Sequence, residues 1–530
     1  MDTLRAQLSI PRAQSPEEVG ISSRVLAEMM EDIRVKAYEL HSIMVLRRGR
    51  VAYEQFRKPY GPSEPHTLYS TSKSITALAV GFAVAEGKIS LEDKVTDYVP
   101  ELLEYPHENW DKLKIFHLIT MTAGKNINYL ADKRKKKWIW DFSRSAWDFA
   151  PGEGFHYCNE NCYMLCVILQ RVCGESVVDY LMPRLFAPLG IPRPFWETDG
   201  HGVETGGWGL YLSTESLAKI GLCIIDGGKY RGERVIPADW LREACRAQSD
   251  TAGEKEEHDN YGYGYGLRMN QPPGGFRTDG LFAQFMFMFP EYDAVIVTTG
   301  GEGDKASLLY TIFDHLPALF TEGDGEAREI PLLPEYPPLA AAPRSSAIEA
   351  RIEGRRIHFP EATKFVNNKI GFPLSIIPGM IFFMSADKAG GVDDVIFRFG
   401  ADSVKFSWSE GPERNTVLCG LDGRARKCKI TLGGVEFVMS CSAAWEGDLL
   451  RLRLRCLTSV SERRLAFRFK GPMVGLLFRS SPGLDCLKKD CMDFARENIP
   501  GGVSEEFIGK AVDTALLLAE PPIAGYMREG

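Results

Sequence analysis

Ser70 and Lys73 stand three residues apart at the start of an apolar stretch, where a hydroxyl and an ammonium group could act together. They belong to LYSTSKSITALAVGFAVAEGK, residues 68–88, whose apolar residues recur at helical spacing up to Gly87, a residue that commonly ends helices. Residues three apart share a helix face, and the helix dipole favours negative charge at the N-terminus. A lysine in an apolar site can have its pKa depressed and then accept a serine proton. The segment predicts a serine nucleophile with a lysine partner; a capping serine and a solvent-reaching lysine are the alternative.

The S-x-x-K spacing alone is a weak signal, because Ser216 and Lys219 share it, as do Ser385 and Lys388. The latter pair stands in SADKAGG, which cannot begin a helix. The pair at residue 70 is distinguished by the segments that follow it.

Tyr157 and Asn159 form the only Y-x-N triplet of the chain, within PGEGFHYCN. A Pro-Gly turn followed by aromatic residues predicts a loop that presents a phenol and an amide to a cleft. Further on, FRTDGLFAQFMFMFPEYDAVIV predicts two antiparallel strands with a turn at Pro290, and Gly280 on the first strand permits close backbone approach.

The elements that must position these groups change character near residue 330. Before it, helical patterns alternate with strands, as in the hairpin SIMVLRRGRVAYEQF around Gly49 and the helices ESVVDYLMPRLFAPLG and STESLAKIGLCIID. The Pro/Ala-rich residues 331–345 predict a linker. Beyond it, about seven runs of period two predict a β-sandwich or open barrel, followed by a helical tail. The predicted domains are therefore residues 1–330 and 346–530.

The net charge of −8 argues against nucleic acid or an anionic membrane as a partner. Residues 1–20 show no signal peptide, and the most apolar later run, FPLSIIPGMIFFM, is too short to span a bilayer, so the expected location is the cytoplasm. Cys158, Cys162 and Cys166 share a helix face, but reduced, buried thiols are favoured over a metal site there. No metal and no other cofactor is predicted, and the basic run KRKKKWIW is predicted to be a solvated loop.

Several segments, taken together and in this order, resemble the serine β-lactamase-like and penicillin-binding-protein-like hydrolases, especially the branch of class C β-lactamases, esterases and 6-aminohexanoate-dimer hydrolases. The resemblance covers residues 21–319 and rests on LYSTSKSITALAVGFAVAEGKISLEDKVTDYVPE, FHLITMTAG, PGEGFHYCN, GGWGLYLSTESLAKIGLCIIDGGKYRGERVIP and DGLFAQFMFMFPEYDAVIVTT. It implies an α/β (α+β) domain in which helices flank an antiparallel sheet, with a helical subdomain between the first two motifs. The C-terminal domain shares no motif that indicates a function.

The resemblance also implies a role for each motif residue. Ser70 would be the acyl-accepting nucleophile, Lys73 its base or the holder of the proton network, and Tyr157 a general base or acid. Asn159 would hydrogen-bond Lys73 and a substrate amide. The oxyanion hole would consist of the backbone N–H groups of Ser70 and Leu281.

The third motif departs from the family pattern of Lys or His, any residue, then Gly. Thr278, Asp279 and Gly280 stand in its place, so the basic residue is missing. This change puts the binding of a substrate carboxylate in doubt and predicts a poor β-lactamase that prefers neutral or cationic substrates. The alternative is that Asp279 faces away from the cleft and pairs with Arg277.

Aromatic residues near the third motif offer a candidate cleft wall. Tyr261, Tyr263 and Tyr265 are predicted to alternate on one face of a strand and, with Trp208, to line the cleft, although core packing explains them equally well.

The sequence therefore predicts a serine hydrolase that acts on an ester or amide through an acyl-enzyme. The expected substrate is a small molecule or a peptide, and assembly into a homo-oligomer is possible. A non-catalytic binding or sensor module of the same fold is one alternative, and a true β-lactamase or D-peptidase is another. An α/β-hydrolase is disfavoured because the chain has no complete G-x-S-x-G.

Overall fold

The structure, a computed structural model, describes residues 9–126, 138–270, 274–320, 327–360, 392–410, 413–432, 435–460, 462–483, 488, 492, 504–520 and 522–528. Most of the basic run at 133–140, the apolar run at 372–384 and the pair Ser385 and Lys388 lie outside the described residues. The chain divides into two compact units, Met1–Glu335 and Tyr336–Gly530.

The first unit is built on a six-stranded antiparallel sheet. Its strands are β1 (Leu40–Arg47), β2 (Arg50–Phe56), β3 (Arg268–Met269), β4 (Phe276–Gly280), β5 (Gln284–Phe289) and β6 (Ala294–Gly300). Their order across the sheet is β3-β4-β5-β6-β1-β2, so the early hairpin pairs with a strand from the far end of the unit. Every residue of β1 and β6 is buried, as expected for strands covered on both faces. The predicted hairpin around Gly49 and the turn at Pro290 are confirmed, but the single strand predicted before Pro290 is two antiparallel strands, β4 and β5, joined by a turn at residues 281–283.

Helices cover both faces of this sheet. The longer ones are α1 (Ser23–Val35), α2 (Ser72–Ala85), α3 (Asn159–Cys173), α4 (Thr214–Ile225) and α5 (Lys305–Phe313). On one face α1 and α5 share an apolar core with Phe285 and Phe287 of β5. On the other, α4 approaches so closely that a Cβ on Gly221 would lie 2.9 Å from side-chain atoms of Met286 and Val295. The predicted sheet flanked by helices is confirmed.

The remaining elements of this unit are short. Helices are Val95–Tyr98, Ile115–Ile119, Trp138–Arg144, Val177–Leu181 (which continues as a π-helical turn, Met182–Phe186) and Ala238–Ala244. Small sheets pair His66–Thr67 and Phe195–Trp196 with Leu210–Leu212, Lys125–Asn126 with Ala146–Trp147, and Lys229–Tyr230 with Glu233–Arg234. Between the first two motifs the described chain is mostly helices and turns, as the resemblance implied.

Lys125 is a buried cation in this region. Its Nζ lies 4.9, 5.5 and 4.3 Å from the ring centroids of Trp110, Phe142 and Trp147, and it donates a hydrogen bond to Ser145 O at 2.6 Å. Burial lowers the pKa of Lys125 to about 7. Stability should therefore depend on the protonation of this side chain.

We expect Lys125→Met to remove a rise in stability with pH. The folded-state pKa of about 7 lies below the value of about 10.4 for an unfolded lysine, so between these values the unfolded chain binds the extra proton. The wild type should gain up to about 1.4 kcal/mol per pH unit in that window, and the variant should not. Thermal unfolding at pH 6, 7, 8 and 9 measures this difference. Lys112→Met, at an exposed lysine, is the control, and parallel curves for wild type and Lys125→Met would contradict the prediction.

The second unit is one sheet, antiparallel throughout except for a parallel pairing of Gly420 with Ser442. Its strands are β7 (Arg356–His358), β8 (Asp394–Phe399), β9 (Ser403–Glu410), β10 (Glu413–Gly420), β11 (Arg426–Leu432), β12 (Val435–Glu446), β13 (Leu449–Cys456), β14 (Glu462–Lys470), β15 (Met473–Ser481) and β16 (Ile523–Met527). Two helices accompany them, Ser346–Ile352 and α6 (Glu505–Ala519). The strand order is β10-β9-β8-β7-β16-β15-β14-β13-β12-β11, and Gly420 of β10 pairs with Ser442 of β12.

This second sheet closes on itself through the Gly420–Ser442 pairing, so of the two predicted architectures it follows the barrel and not the sandwich. Alternate residues of β15, Val474, Leu476 and Phe478, are buried, which is the period of two seen in the sequence. Across the described parts of both units, no helix has the length and apolarity needed to cross a bilayer.

We expect residues 1–342, expressed alone, to unfold cooperatively, because the sheet and both of its helical layers lie within that range. Calorimetry of this fragment should give a transition that coincides with one transition of the full chain. A fragment that shows no cooperative transition would mean that the two units do not fold separately.

Candidate active site

Ser70 lies in a single 3-10 turn, Tyr69–Thr71, that runs directly into α2. Tyr69 has a φ of +46°, a left-handed conformation that costs free energy in a bulky residue. Its ring packs edge-on against Phe282 with 5.5 Å between centroids, and Phe282 and Ala283 also have positive φ, 61° and 66°. Strain of this kind concentrates at functional sites, and here it flanks both the serine and the third motif.

Lys73 is buried, 2% exposed, and makes three hydrogen bonds through Nζ. It donates to Asn159 Oδ1 at 2.7 Å, to Gly207 O at 2.7 Å and to Ser70 Oγ at 2.9 Å. A carbonyl oxygen and an amide oxygen can only accept, so they occupy two of the lysine N–H positions. The third position faces Ser70 Oγ, where an ammonium group presents a proton and a neutral amine presents its lone pair.

Asn159 is the first residue of α3. Gly206 and Gly207 pack so closely against α3 that the Gly207 carbonyl reaches Lys73. A Cβ on Gly206 would lie 2.4 Å from Cys162 O, and one on Gly207 would lie 2.8 Å from Asn159 O. Only residues without a side chain let this segment pack backbone to backbone against α3. The role of these two glycines was not predicted, although their adjacency in GGWG was a signal for close backbone packing.

The Tyr157 ring lies beside two cations. Lys73 Nζ is 4.7 Å and Arg268 Cζ is 5.0 Å from its centroid, both within cation–π range. Tyr263 packs nearly perpendicular to it, with 6.2 Å between centroids. The structure thus brings Ser70, Lys73, Tyr157 and Asn159 together as predicted, and it adds Arg268, which was not predicted.

The third motif reaches the same site from β4. A Cβ on Gly280 would lie 2.4 Å from Leu68 O, so the end of β4 runs directly beside the chain that leads into the Ser70 turn. The close backbone approach predicted at Gly280 is confirmed. Leu281 follows in the turn and is partly exposed, and its part in an oxyanion hole stays a prediction.

Thr278 is fully buried and does not line the cleft. Thr71 Oγ1 donates to Gln284 O at 2.9 Å and lies 3.2 Å from Thr278 Oγ1, within hydrogen-bond distance. The predicted substrate-binding role of Thr278 is therefore wrong: the residue ties the serine turn to the β4–β5 hairpin.

Asp279 does not face a substrate site either. Its carboxylate pairs with Arg277 Nε at 3.2 Å and with Lys305 Nζ, and the side chain is 5% exposed. Burial alone would raise the pKa of Asp279, but Lys305, Arg277 and Arg268 lower it below its usual value. The alternative that pairs Asp279 with Arg277 is correct, and Asp279 loses its predicted role of repelling a substrate carboxylate.

The tyrosine strand near this motif was predicted wrongly. Tyr263 makes only isolated bridges, with Ser249 and with Arg268, because glycines with positive φ turn the chain on either side of it, Gly262 at 102° and Gly266 at 70°. Tyr263 is buried against Tyr157, whereas Tyr265 packs on Trp240 with 4.8 Å between centroids.

Trp208 is buried as well. It packs on Trp138 with 6.0 Å between centroids, so core packing describes Trp208 better than a cleft wall does. Its neighbour Gly207 is the residue of this segment that touches Lys73.

Ser216, the competing S-x-x-K serine within the described residues, lies in the first turn of α4. Its N–H donates to Ser213 Oγ at 3.2 Å, and the two hydroxyls lie 2.9 Å apart. This arrangement is a helix cap.

Two groups of ligand-type side chains do not fit a metal ion. His258, Asp259 and Asp279 place such atoms within 4.8 Å of one another, but both carboxylates are already paired with cationic side chains. Burial raises the pKa of the thiols at Cys158 and Cys166, and that of Cys162 to about 12, which disfavours the thiolates that a metal requires.

Comparison with known proteins adds to this geometry. The model of the beta-lactamase family matches residues 28–307. The chain is 28% identical over 312 residues to the 6-aminohexanoate-dimer hydrolase of Paenarthrobacter ureafaciens, covering 53% of this chain and 78% of that one. It is 24% identical over 207 residues to a beta-lactamase of Escherichia coli K12, covering 37% and 53%. Among solved structures, a penicillin-binding protein homologue from Caulobacter crescentus is similar with a TM-score of 0.45 and 18% identity, covering 56% of this chain and 97% of that one.

Proposed function

Because the chain belongs to the beta-lactamase family, whose model matches residues 28–307, we propose that its first domain, residues 1–330, is a serine hydrolase that cleaves an ester or amide through an acyl-enzyme. The observation that carries the proposal is the cluster of Ser70, Asn159 and Gly207 around the Lys73 nitrogen, with the Tyr157 ring beside it.

In the proposed reaction Ser70 Oγ attacks the substrate carbonyl and its proton passes to the Lys73–Tyr157 pair. Asn159 and Gly207 take two N–H groups of Lys73, so the remaining position of Nζ points at the serine oxygen. If that position is a lone pair, Lys73 takes the proton; if it is an N–H, the base must be Tyr157 in its phenolate form, which the proton converts to the phenol. The pair then returns the proton to the leaving alcohol or amine, and water releases the acyl group by the reverse path.

The oxyanion that forms in this step needs two donors, and we assign them to the backbone N–H groups of Ser70 and Leu281. The approach of Gly280 to Leu68 O supports this assignment, because it holds the two backbone segments side by side. The left-handed residues Tyr69 and Phe282 lie next to the two donors and are consistent with backbone that is fixed for this purpose.

The substrate in this proposal is a small molecule or a peptide. The expectation of a poor β-lactamase came from the loss of the third motif's basic residue, and Thr278, which stands in its place, is buried. The preference for neutral or cationic substrates has lost its basis, since Asp279 is neutralised by Arg277 and Lys305. In this proposal residues 346–530 take no part in catalysis. Their proposed role is to affect substrate access or assembly into a homo-oligomer.

Activity profiling tests the proposal. The full chain is assayed with p-nitrophenyl esters, aminoacyl anilides, D-peptides and nitrocefin, and rapid mixing with an ester should give a burst of one equivalent of released phenol per active site. A binding module would retain ligand without turnover, and efficient hydrolysis of nitrocefin would make the protein a true β-lactamase.

A further inference from the structure

Arg268 is a buried arginine at the edge of the site. It is the first residue of β3 and is 8% exposed. Its guanidinium carbon lies 5.0 Å from the Tyr157 centroid and 6.0 Å from that of Tyr263. The ring that it contacts is the same one that Lys73 contacts, so Arg268 borders the reacting groups.

The charges around Arg268 do not balance within its ion-pair cluster. Asp259 pairs with Arg268 Nη1 at 3.2 Å and with Arg277 Nη2 at 2.7 Å, while Asp279 pairs with Arg277 and Lys305. Three cations thus share two carboxylates. Glu254 lies within electrostatic range of Arg268 but makes no ion pair with it in the described part of the chain, and burial raises the pKa of Glu254.

The unbalanced positive charge is best assigned to Arg268. Arg277 is fully engaged, because it also donates to Asn270 Oδ1 at 3.2 Å and to His258 O at 3.1 Å. Lys305 is 28% exposed, so water can solvate it. In the described part of the chain, Arg268 Nη1 is buried without a hydrogen bond of good geometry. Arg268 therefore combines a buried charge with a donor, Nη1, whose 3.2 Å ion pair with Asp259 lacks good hydrogen-bond geometry.

We propose that Arg268 binds a carboxylate of the substrate, in place of the basic residue that the third motif lacks. This inference rests on the proposed function. A guanidinium group offers a planar pair of donors that matches a carboxylate, and its pairing is strongest where water is excluded. A buried and half-compensated cation costs stability in the free protein, and an anionic ligand would complete its pairing. The substrate class is thus an ester or amide that carries a carboxylate near the scissile bond.

The test measures binding apart from turnover. In a Ser70→Ala background, calorimetry gives the Kd of two matched pairs, phenyl acetate with 3-acetoxybenzoate, and phenyl butyrate with monophenyl glutarate. The pairs place the carboxylate on the leaving group or on the acyl group. In at least one pair the anionic ester should bind more tightly, and Arg268→Gln should reduce that preference by about 10- to 100-fold, the effect of one charged hydrogen-bonded pair. Arg268→Lys, which keeps the charge and loses the fork, should retain part of it.

A matched control is Arg184→Gln, since Arg184 also stacks on a tyrosine, Tyr180, at 3.9 Å, in an exposed ion pair away from Ser70. This change should leave the preference unaltered. The inference is overturned if wild-type discrimination is absent in both pairs or is unchanged in Arg268→Gln. Turnover of these esters by the chain with Ser70 intact tests the proposed function separately. If the esters are hydrolysed but Arg268→Gln leaves the binding preference unchanged, only the role of Arg268 is rejected. If Arg268→Gln reduces the binding preference but no ester is hydrolysed, only the proposed hydrolase activity is rejected.

Discussion

Tyr157→Phe should slow turnover by about 100- to 10,000-fold, the usual contribution of a positioned acid or base. The phenyl ring keeps its place against Lys73, Arg268 and Tyr263, since all three contacts involve the ring. The variant therefore loses the phenol oxygen alone. Steady-state kinetics on the best ester from the activity profile measures the effect on kcat, and thermal unfolding checks that the fold is retained.

Tyr53→Phe is the matched control, because the Tyr53 hydroxyl donates one hydrogen bond to Gln55 in β2, on the opposite edge of the sheet from β3. It should leave kcat within about twofold of wild type, because this partly buried hydroxyl lies outside the site. A near-normal rate in Tyr157→Phe would remove Tyr157 from the mechanism and leave Lys73 as the base.

The nucleophile can be identified by covalent labelling. A fluorophosphonate should add one adduct mass to the intact chain, and peptide mapping should place the adduct on Ser70. Ser70→Ala should abolish labelling, whereas Ser216→Ala should not, because Ser216 lies in the first turn of α4, where its N–H donates to the capping hydroxyl of Ser213. Label that persists in Ser70→Ala would show that another hydroxyl is acylated.

The parts of the site that could be predicted from the sequence are those fixed by local spacing. Ser70 and Lys73 meet because one helical turn joins them, and their observed contact of 2.9 Å follows from that geometry. Gly280 was predictable because a glycine within a strand pattern indicates close backbone approach. The sheet and its flanking helices were also predictable from local spacing, because each element has a clear hydrophobic period.

The parts that were missed depend on contacts between distant segments. The sequence left open whether Asp279 faces the cleft or pairs with Arg277, because its second cation, Lys305, lies in another element and no local pattern indicates that this pair forms. The tyrosines at 261, 263 and 265 have the period of a strand, yet Gly262 and Gly266 adopt positive φ and turn the chain. Arg268 gave no signal at all, because its position beside Tyr157 depends on the register of β3 against β4.

Arg277→Leu should destabilise the first unit by about 3–5 kcal/mol, the cost of breaking a buried ion pair by removing one partner. The Arg277 side chain is fully buried, and it donates to both Asp259 and Asp279. Without Arg277, Asp259 keeps only its pair with Arg268 and Asp279 keeps only its pair with Lys305. Both carboxylates lose the arginine that they share. Urea unfolding at pH 7 measures the change. Arg193→Leu, which removes an exposed pair with Asp179, should cost less than about 1 kcal/mol and is the control.

The pH dependence separates this mechanism from a simple loss of packing. Lys305 and Arg277 lower the pKa of Asp279 despite its burial, so the pairing contributes stability at pH 7 that is lost as the pH falls below the unfolded value of about 3.9. Once Asp279 is protonated, Arg277 has one carboxylate fewer to compensate. The difference in unfolding free energy between wild type and Arg277→Leu should therefore shrink between about pH 4 and pH 2, where a packing defect would give a constant difference. A cost that equals that of Arg193→Leu, or that does not change with pH, would mean that the carboxylates are solvated without Arg277, and the charge balance assigned to Arg268 would then also have to be revised.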